Sequence, residues 1–417
     1  MSDVYSLINK AKNLGLTGEL YYVERSEYEV RKEKQYQAGS LRERGYGLRV
    51  FKDGQVGFAF ATDPDLTLLD RALSALKVSE RDENNVLPPV KKPTMLPLDK
   101  EGDPIEFVRE SLKTLEELQE SVNLVGVYAS AGKIKVGVIN TEGLDVSESR
   151  SHFQVGVMAN YKDSSLVTPE IYESRSSRSP KDLDLTELKE ETISKVRLTI
   201  DRVKLDSKPK RVVLNSKAVS ELLYPLLAYS VNAENVYRKK SPLSVGEIYG
   251  NITVVDDPHD DKSDYSRSFD GEGQPTTQNV LIHNGEFKAI LTNWYWSKKI
   301  GIRNSASAVR SFMTTPSIGT SSIRIQPNER QDYENEDLVI DQVQGVHTSN
   351  WDTGEFGVVV PVAWTIRNGD RKGVREVILS GDLKTLLKTA MGGVGDSKRV
   401  GPVVSPGIVI QGLGVVS

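Results

Sequence analysis

Residues 46–61 read Tyr-Gly-Leu-Arg-Val-Phe-Lys-Asp-Gly-Gln-Val-Gly-Phe-Ala-Phe-Ala. Two strand-like runs, Tyr46 to Phe51 and Gln55 to Ala61, flank Lys52-Asp53-Gly54. Glycine takes the positive φ that a tight turn needs, so Asp-Gly between two such runs signals a hairpin. The same alternating, β-rich composition extends outward from Gly18 to Thr62. Upstream, Val4, Leu7, Ile8, Ala11 and Leu14 recur at helical spacing and predict a first helix ending near Gly15. Downstream, Leu66, Leu69, Leu73 and Leu76 form one stripe of a second helix, which Asp63 or Asp65 is placed to cap.

Residues 79–104 contain Pro88, Pro89, Pro93, Pro97 and Pro104 among charged residues, and read as a linker because proline blocks helix and central strand. A helix is expected over Ile105 to Leu118. A β meander follows over Val122 to Ser179, with turns at Ala131-Gly132, Glu142-Gly143 and Lys162-Asp163. Leu183 to Val203 carries another helical stripe. The polar break Asp206-Ser-Lys-Pro-Lys210 marks the expected boundary between an N-terminal domain (1–205) and a C-terminal domain (211–417). The second half opens with a strand at Arg211 to Leu214 and a helical segment from Ser216. It continues as short strands separated by glycine turns, with helical patterns only at Trp294 to Ile300 and Leu383 to Met391. The expected class is α+β: an N-terminal α/β domain with antiparallel strands, and a β-rich, barrel- or sandwich-like C-terminal domain.

A chain of 417 residues exceeds one typical core, in keeping with two domains. Its 54 basic and 58 acidic residues give a net charge of −4, which provides no general footprint for nucleic acid. Arg238-Lys239-Lys240 is one of a few short basic clusters. With no cysteine, disulfides, thiolate ligands and a cysteine nucleophile are excluded. Met1-Ser2-Asp3-Val4 does not resemble a signal peptide, and no apolar run approaches membrane-spanning length, so no membrane association is expected. A cytoplasmic location is the expectation.

Four histidines, His152, His259, His283 and His347, stand far apart in sequence, so no paired-histidine zinc helix is present. The densest acidic stretch runs Asp256-Asp-Pro-His-Asp-Asp261 and on to Phe269-Asp-Gly-Glu-Gly273. Carboxylates of this kind suit a hard cation. The spacing matches no calcium loop, and a solvated turn is the simpler reading. Met391-Gly-Gly-Val-Gly395 lacks the strand–loop–helix setting of a phosphate loop, and no Gly-x-Ser-x-Gly elbow occurs. The polar loop Gly345 to Gly357 is dense in hydrogen-bonding side chains, as binding loops often are. Trp294, Tyr295 and Trp296 read as core or interface.

Several blocks occur in an order that resembles the TldD/TldE (PmbA) family: Arg211-Val-Val-Leu-Asn215, Asp256-Asp-Pro258, Phe269-Asp-Gly-Glu-Gly273, Asn284-Gly-Glu-Phe287, the Gly345–Gly357 loop, Ser380-Gly-Asp-Leu383 and Ser405-Pro-Gly-Ile-Val-Ile-Gln-Gly412. Arg44-Gly-Tyr-Gly47 and Asn140-Thr-Glu-Gly143 extend the likeness more loosely into the first half. The resemblance implies, in TldD-type chains, a zinc peptidase with an HExxxH motif and a distant cysteine. Counted from Val212, the two histidine positions fall on Tyr224 and Tyr229, and the glutamate position on Pro225. No cysteine stands near Met391–Gly395. A phenol with a pKa near ~10 is a weak zinc ligand, and proline cannot act as a general base.

The departure resembles the TldE side of the family. It implies a non-catalytic subunit of a peptide-processing complex, with no cofactor of its own and zinc only in a TldD-like catalytic partner. Peptides or unfolded segments are the implied substrates, and a homodimer of this chain alone is a further possibility. His347, Thr348, Ser349 and Asn350 are the candidate peptide contacts. One alternative is an autonomous peptidase with a metal on Asp256, Asp257, His259 and Asp270. The other is an interaction protein of the gyrase-modulator type.

Overall fold

The computed structural model describes residues 2–417. The first half builds one antiparallel sheet from β1 (Thr17–Lys32), β2 (Tyr36–Lys52), β3 (Gln55–Ala61), β4 (Asn123–Asn140), β5 (Asp145–Asn160) and β6 (Ile171–Ser177), in the order β3-β2-β1-β4-β5-β6. The β2–β3 turn forms as expected: Asp53 and Gly54 have φ of 50° and 77°, and Lys52 pairs with Gln55. Alternation in β1 then sorts side chains between two cores. Leu20 and Tyr22 face α1 (Ser2–Asn13) and α2 (Leu66–Val78), whereas Tyr21 and Val23 face Phe269 and Phe312 of the second half. Asp65 caps α2 through the Thr67 N–H, and Asp103 caps α3 (Pro104–Glu116). α4 spans Leu185–Leu198.

Two local expectations change. β4 runs straight through Ala131-Gly132, where a turn was expected. Gly132 is needed there for close approach, because a Cβ would lie 2.2 Å from the Ser26 carbonyl oxygen. The proline-rich stretch from Ser79 to Asp103 lacks regular structure, yet it is an ordered strap. Its Leu98 is fully buried, the Pro89 carbonyl accepts from Gln274 Nε2 at 2.9 Å, and the Leu96 N–H donates to Ser268 Oγ at 2.8 Å. The strap therefore fastens the first half to the second.

Between Val212 and Val416 the strands form a twelve-stranded mixed sheet. Its path starts at the hairpin of Glu286–Phe287 and Asn279–His283 and passes through Ile252–Asp256, Ile323–Pro327 and Val403–Ile410. It continues through β7 (Val212–Leu214), Leu338–Gln344, Glu355–Arg367 and Val377–Asp382 to Gly414–Val416. The two ends are different strands, so this sheet is open rather than a closed barrel. Met391 to Gly395, expected as a glycine loop after a helix, lies in a bulged strand (Ala390–Val400) paired with Val403–Ile410.

The two halves meet on a buried ion cluster. Lys195 Nζ of α4 lies 2.7 Å from Glu173 of β6, 2.9 Å from Glu191 and 2.8 Å from Asp341 of the second sheet. Lys217 Nζ lies 3.0 Å from both Glu173 and Gln342, and also donates to the Tyr172 carbonyl. The Tyr172 N–H donates to Gln342 Oε1 at 3.3 Å. Both backbone groups of Tyr172, on the edge strand β6, are thus capped by the second half. Removing one member of such a cluster strands the others in a low-dielectric site. Lys195→Met is expected to cost about 3–5 kcal/mol. Adding Asp341→Asn should restore part of that loss, seen as non-additivity in urea unfolding, and additive losses would contradict the coupling.

Candidate functional site

β7 lies between Val403–Ile410 and Leu338–Gln344 in the sheet, and the helix over residues 216–230 starts from its end. Asn215 caps that helix: its Oδ1 accepts from the N–H groups of Lys217 and Ala218, each at 3.0 Å, and its Nδ2 donates to Asp341. Leu222, Leu223 and Leu226 are buried with Leu214, Ile340 and Ile408. The helix is not regular throughout. Val219–Leu223 forms a π turn, and the Tyr224 N–H donates to the Val219 carbonyl five residues back. A proline inside a helix lacks one donor and crowds the carbonyl four residues earlier. The wider turn directly before Pro225 relieves that conflict.

The three expected motif positions are separated by their contacts. The Tyr224 hydroxyl pairs with Thr320 Oγ1 at 2.8 Å, and burial raises its pKa. The Tyr229 hydroxyl donates to Asp352, and its ring lies 5.9 Å from that of Trp351. Burial and the Asp352 carboxylate push the Tyr229 pKa up to about 12. Both phenols are therefore neutral near pH 7, and that of Tyr229 donates to a carboxylate. The zinc of a metallopeptidase does not fit this helix: neither phenol is anionic, they engage different loops, and Pro225 offers no side-chain base.

The candidate peptide loop sits beside Tyr229, but through Trp351 and Asp352 rather than residues 347–350. His347 is exposed on a short turn (Val346–Thr348). Thr348 Oγ1 donates to the Gly345 carbonyl at 2.8 Å, and the Asn350 N–H donates to the Glu355 carbonyl at 2.8 Å. Ser349 is buried, with no partner for its Oγ. The loop thus uses much of its polar capacity on its own shape.

The acidic stretch does not assemble a metal set. Asp256 accepts from the Ser321 N–H at 2.6 Å and from its hydroxyl at 2.7 Å. Asp257 accepts from the His259 N–H and from Gln278, each at 3.1 Å. His259 Nε2 lies 3.1 Å from the Thr276 carbonyl. Asp270 accepts from the N–H groups of Glu272, Gln274 and Ala308. Among the described residues, no three His, Asp or Glu side chains converge as a metal site.

The sequence reading missed the polar centre at the helix start. A cavity of about 430 Å³ is lined in part by Glu173, Lys195, Asn215 and Lys217. Below it, burial works against the charge of Asp341, but Lys195 and Lys217 hold its carboxyl below the usual range. Glu221, in the π turn, accepts from the Val343 N–H at 2.9 Å, and burial pushes its pKa up to about 7. Asp341 was legible as an acid within the apolar run Leu338 to Val343. Its partners, far away in sequence, were not.

With the geometry in place, comparison with known proteins decides the family. The profile of the PmbA/TldA metallopeptidase C-terminal domain matches residues 207–417, and that of the PmbA/TldA metallopeptidase domain 1 matches residues 18–79. The chain belongs to the TldD/TldE (PmbA) family. An uncharacterized Methanocaldococcus jannaschii protein is 28% identical over 383 residues, covering 88% of each chain. A metalloprotease PmbA homolog of Buchnera aphidicola is 24% identical over 51% of this chain and 47% of its own. In structure, TldE from Thermococcus kodakarensis superposes with a TM-score of 0.90 at 24% identity over the whole of both chains. A Thermotoga maritima protein described as a candidate modulator of a DNA gyrase gives 0.86 at 22% identity, covering 100% of this chain and 99% of its own. At these identities the two structures show a shared TldE-like fold. No helix among the described residues is long and apolar enough to cross a membrane.

Glu221 makes stability depend on pH. Its folded pKa lies above that of a free glutamate, near ~4.3. The stabilising contribution is therefore full below that value and is lost as pH rises through about 7. Glu221→Gln removes the loss. It should stabilise the protein by about 3 kcal/mol at pH ~8 and by nothing at pH ~4, read from urea midpoints. A gain equal at both pH values would contradict this.

Proposed function

We propose that this chain is the non-catalytic, TldE-like subunit of a metallopeptidase complex that processes peptides or unfolded protein segments. One observation carries the reading: the helix over residues 216–230 keeps its seat in the fold but holds neutral, engaged phenols and a proline at the positions of metal ligands and base. A zinc-bound water needs a basic group to take its proton, and Pro225, at the position the resemblance gives that base, has none. The catalytic zinc then belongs to a TldD-like partner. This chain contributes to the wall of the peptide path, with Tyr229, Trp351 and the 347–350 turn as its contact surface. A cytoplasmic location, where such segments arise, is part of this proposal.

The rival metal site on Asp256, Asp257, His259 and Asp270 finds no support, since each of these groups already bonds elsewhere. The test is an unfolded-peptide cleavage assay with this chain alone, a TldD-like partner alone, and the two mixed. Cleavage is expected in the mixture and absent from this chain alone. Changing the partner's metal ligands should abolish it, while Tyr224→Phe in this chain should leave it within about twofold, since it deletes one modest hydrogen bond. Turnover by this chain alone would overturn the reading.

A further inference from the structure

Two stretches the function does not use, Arg238-Lys239-Lys240 and Trp294-Tyr295-Trp296, meet on the surface. The first follows the helix Ala233–Tyr237 and the second opens the helix Trp294–Ile300. The Tyr237 and Trp296 rings lie 5.4 Å apart, and the Arg238 guanidinium lies 5.8 Å from the Trp296 ring centre. Lys298 lies 6.0 Å from the Trp294 ring centre, and Lys299 5.9 Å from that of Tyr295. Aromatic faces thus hold several cations in one place.

Arg238, Lys239, Lys240, Lys298 and Arg303 are all exposed. Two cations of the patch already hold carboxylates: Arg238 binds Glu234 at 2.9 Å, and Lys299 binds Asp82 at 2.6 Å. The remaining lysines and Arg303 have no ion pair among the described residues. Lys239 sits at φ 57°, a left-handed helix end where glycine is the easier choice. The result is a compact cationic surface on a chain of net charge −4.

We propose that this surface docks an acidic, extended segment of another polypeptide. The chemistry favours carboxylates, because two neighbouring cations of the patch, Arg238 and Lys299, already pair with them. It disfavours nucleic acid, which binds through free aromatic faces and a long phosphate track. Here Trp296 is buried between Tyr237 and Tyr295, and only Tyr237 stands exposed. The proposal goes beyond the subunit reading and stands without it, since it concerns this chain alone.

The test is fluorescence anisotropy with the full chain and a labelled peptide of about twelve residues alternating glutamate and alanine. Oligothymidylate of equal length is the competing probe. The peptide should bind at about 50 mM salt and weaken several-fold by about 200 mM, as screened surface charges do. Lys240→Glu with Lys298→Glu should weaken it about tenfold or more, as reversal of two contact charges would. Arg109→Glu with Lys113→Glu changes net charge equally on exposed positions of α3, which packs against β4 and α4, and should leave binding within about twofold. Absent peptide binding, equal loss in both pairs, or tighter binding of oligothymidylate would each overturn the proposal.

Discussion

The buried carboxylate of Asp341 is the point on which the rest of the molecule turns. It sits in the second sheet, fully enclosed, and is held by Lys195 from the first half and by Asn215 from the start of the 216–230 helix. Isolated in such a place its charge would be untenable. Lys195 therefore has to meet it as the halves close. The same contact fixes the helix origin, the docking of α4 and the cover over the edge of β6. A single requirement, compensation of one buried charge, thus links both sheets to the helix that carries Tyr224, Pro225 and Tyr229.

That link explains how the fold accommodates tyrosine and proline at residues 224, 225 and 229. The 216–230 helix is anchored by its cap and by Leu222, Leu223 and Leu226, none of which depends on the residues at 224, 225 and 229. Tyr224 and Tyr229 pack there with their hydroxyls engaged. Proline can be absorbed by a π turn.

Much of this was legible because it rests on local geometry. Asp53-Gly54 demanded a turn, Asp65 stood where a helix needs a cap, and alternation in β1 separated Leu20 from Tyr21. The proline in the helix announced an irregularity, though only the structure shows it as a π turn. Other features arise from contacts between distant residues, which spacing does not encode. Glu173 and Asp341, far apart in the chain, share two lysines. Gly132 looked like a turn but answers to the Ser26 carbonyl of the neighbouring strand. That Trp351 and Asp352 are the loop residues beside Tyr229 was not legible, because which end of a loop faces a helix is decided by packing.

The most direct test of the account is the zinc content of the native protein purified without added metal or chelator, by elemental mass spectrometry. Neutral phenols and a proline at the motif predict less than about a tenth of an equivalent of zinc per chain. Near-stoichiometric zinc, retained through gel filtration, would contradict it and place a metal site on residues other than those of the 216–230 helix.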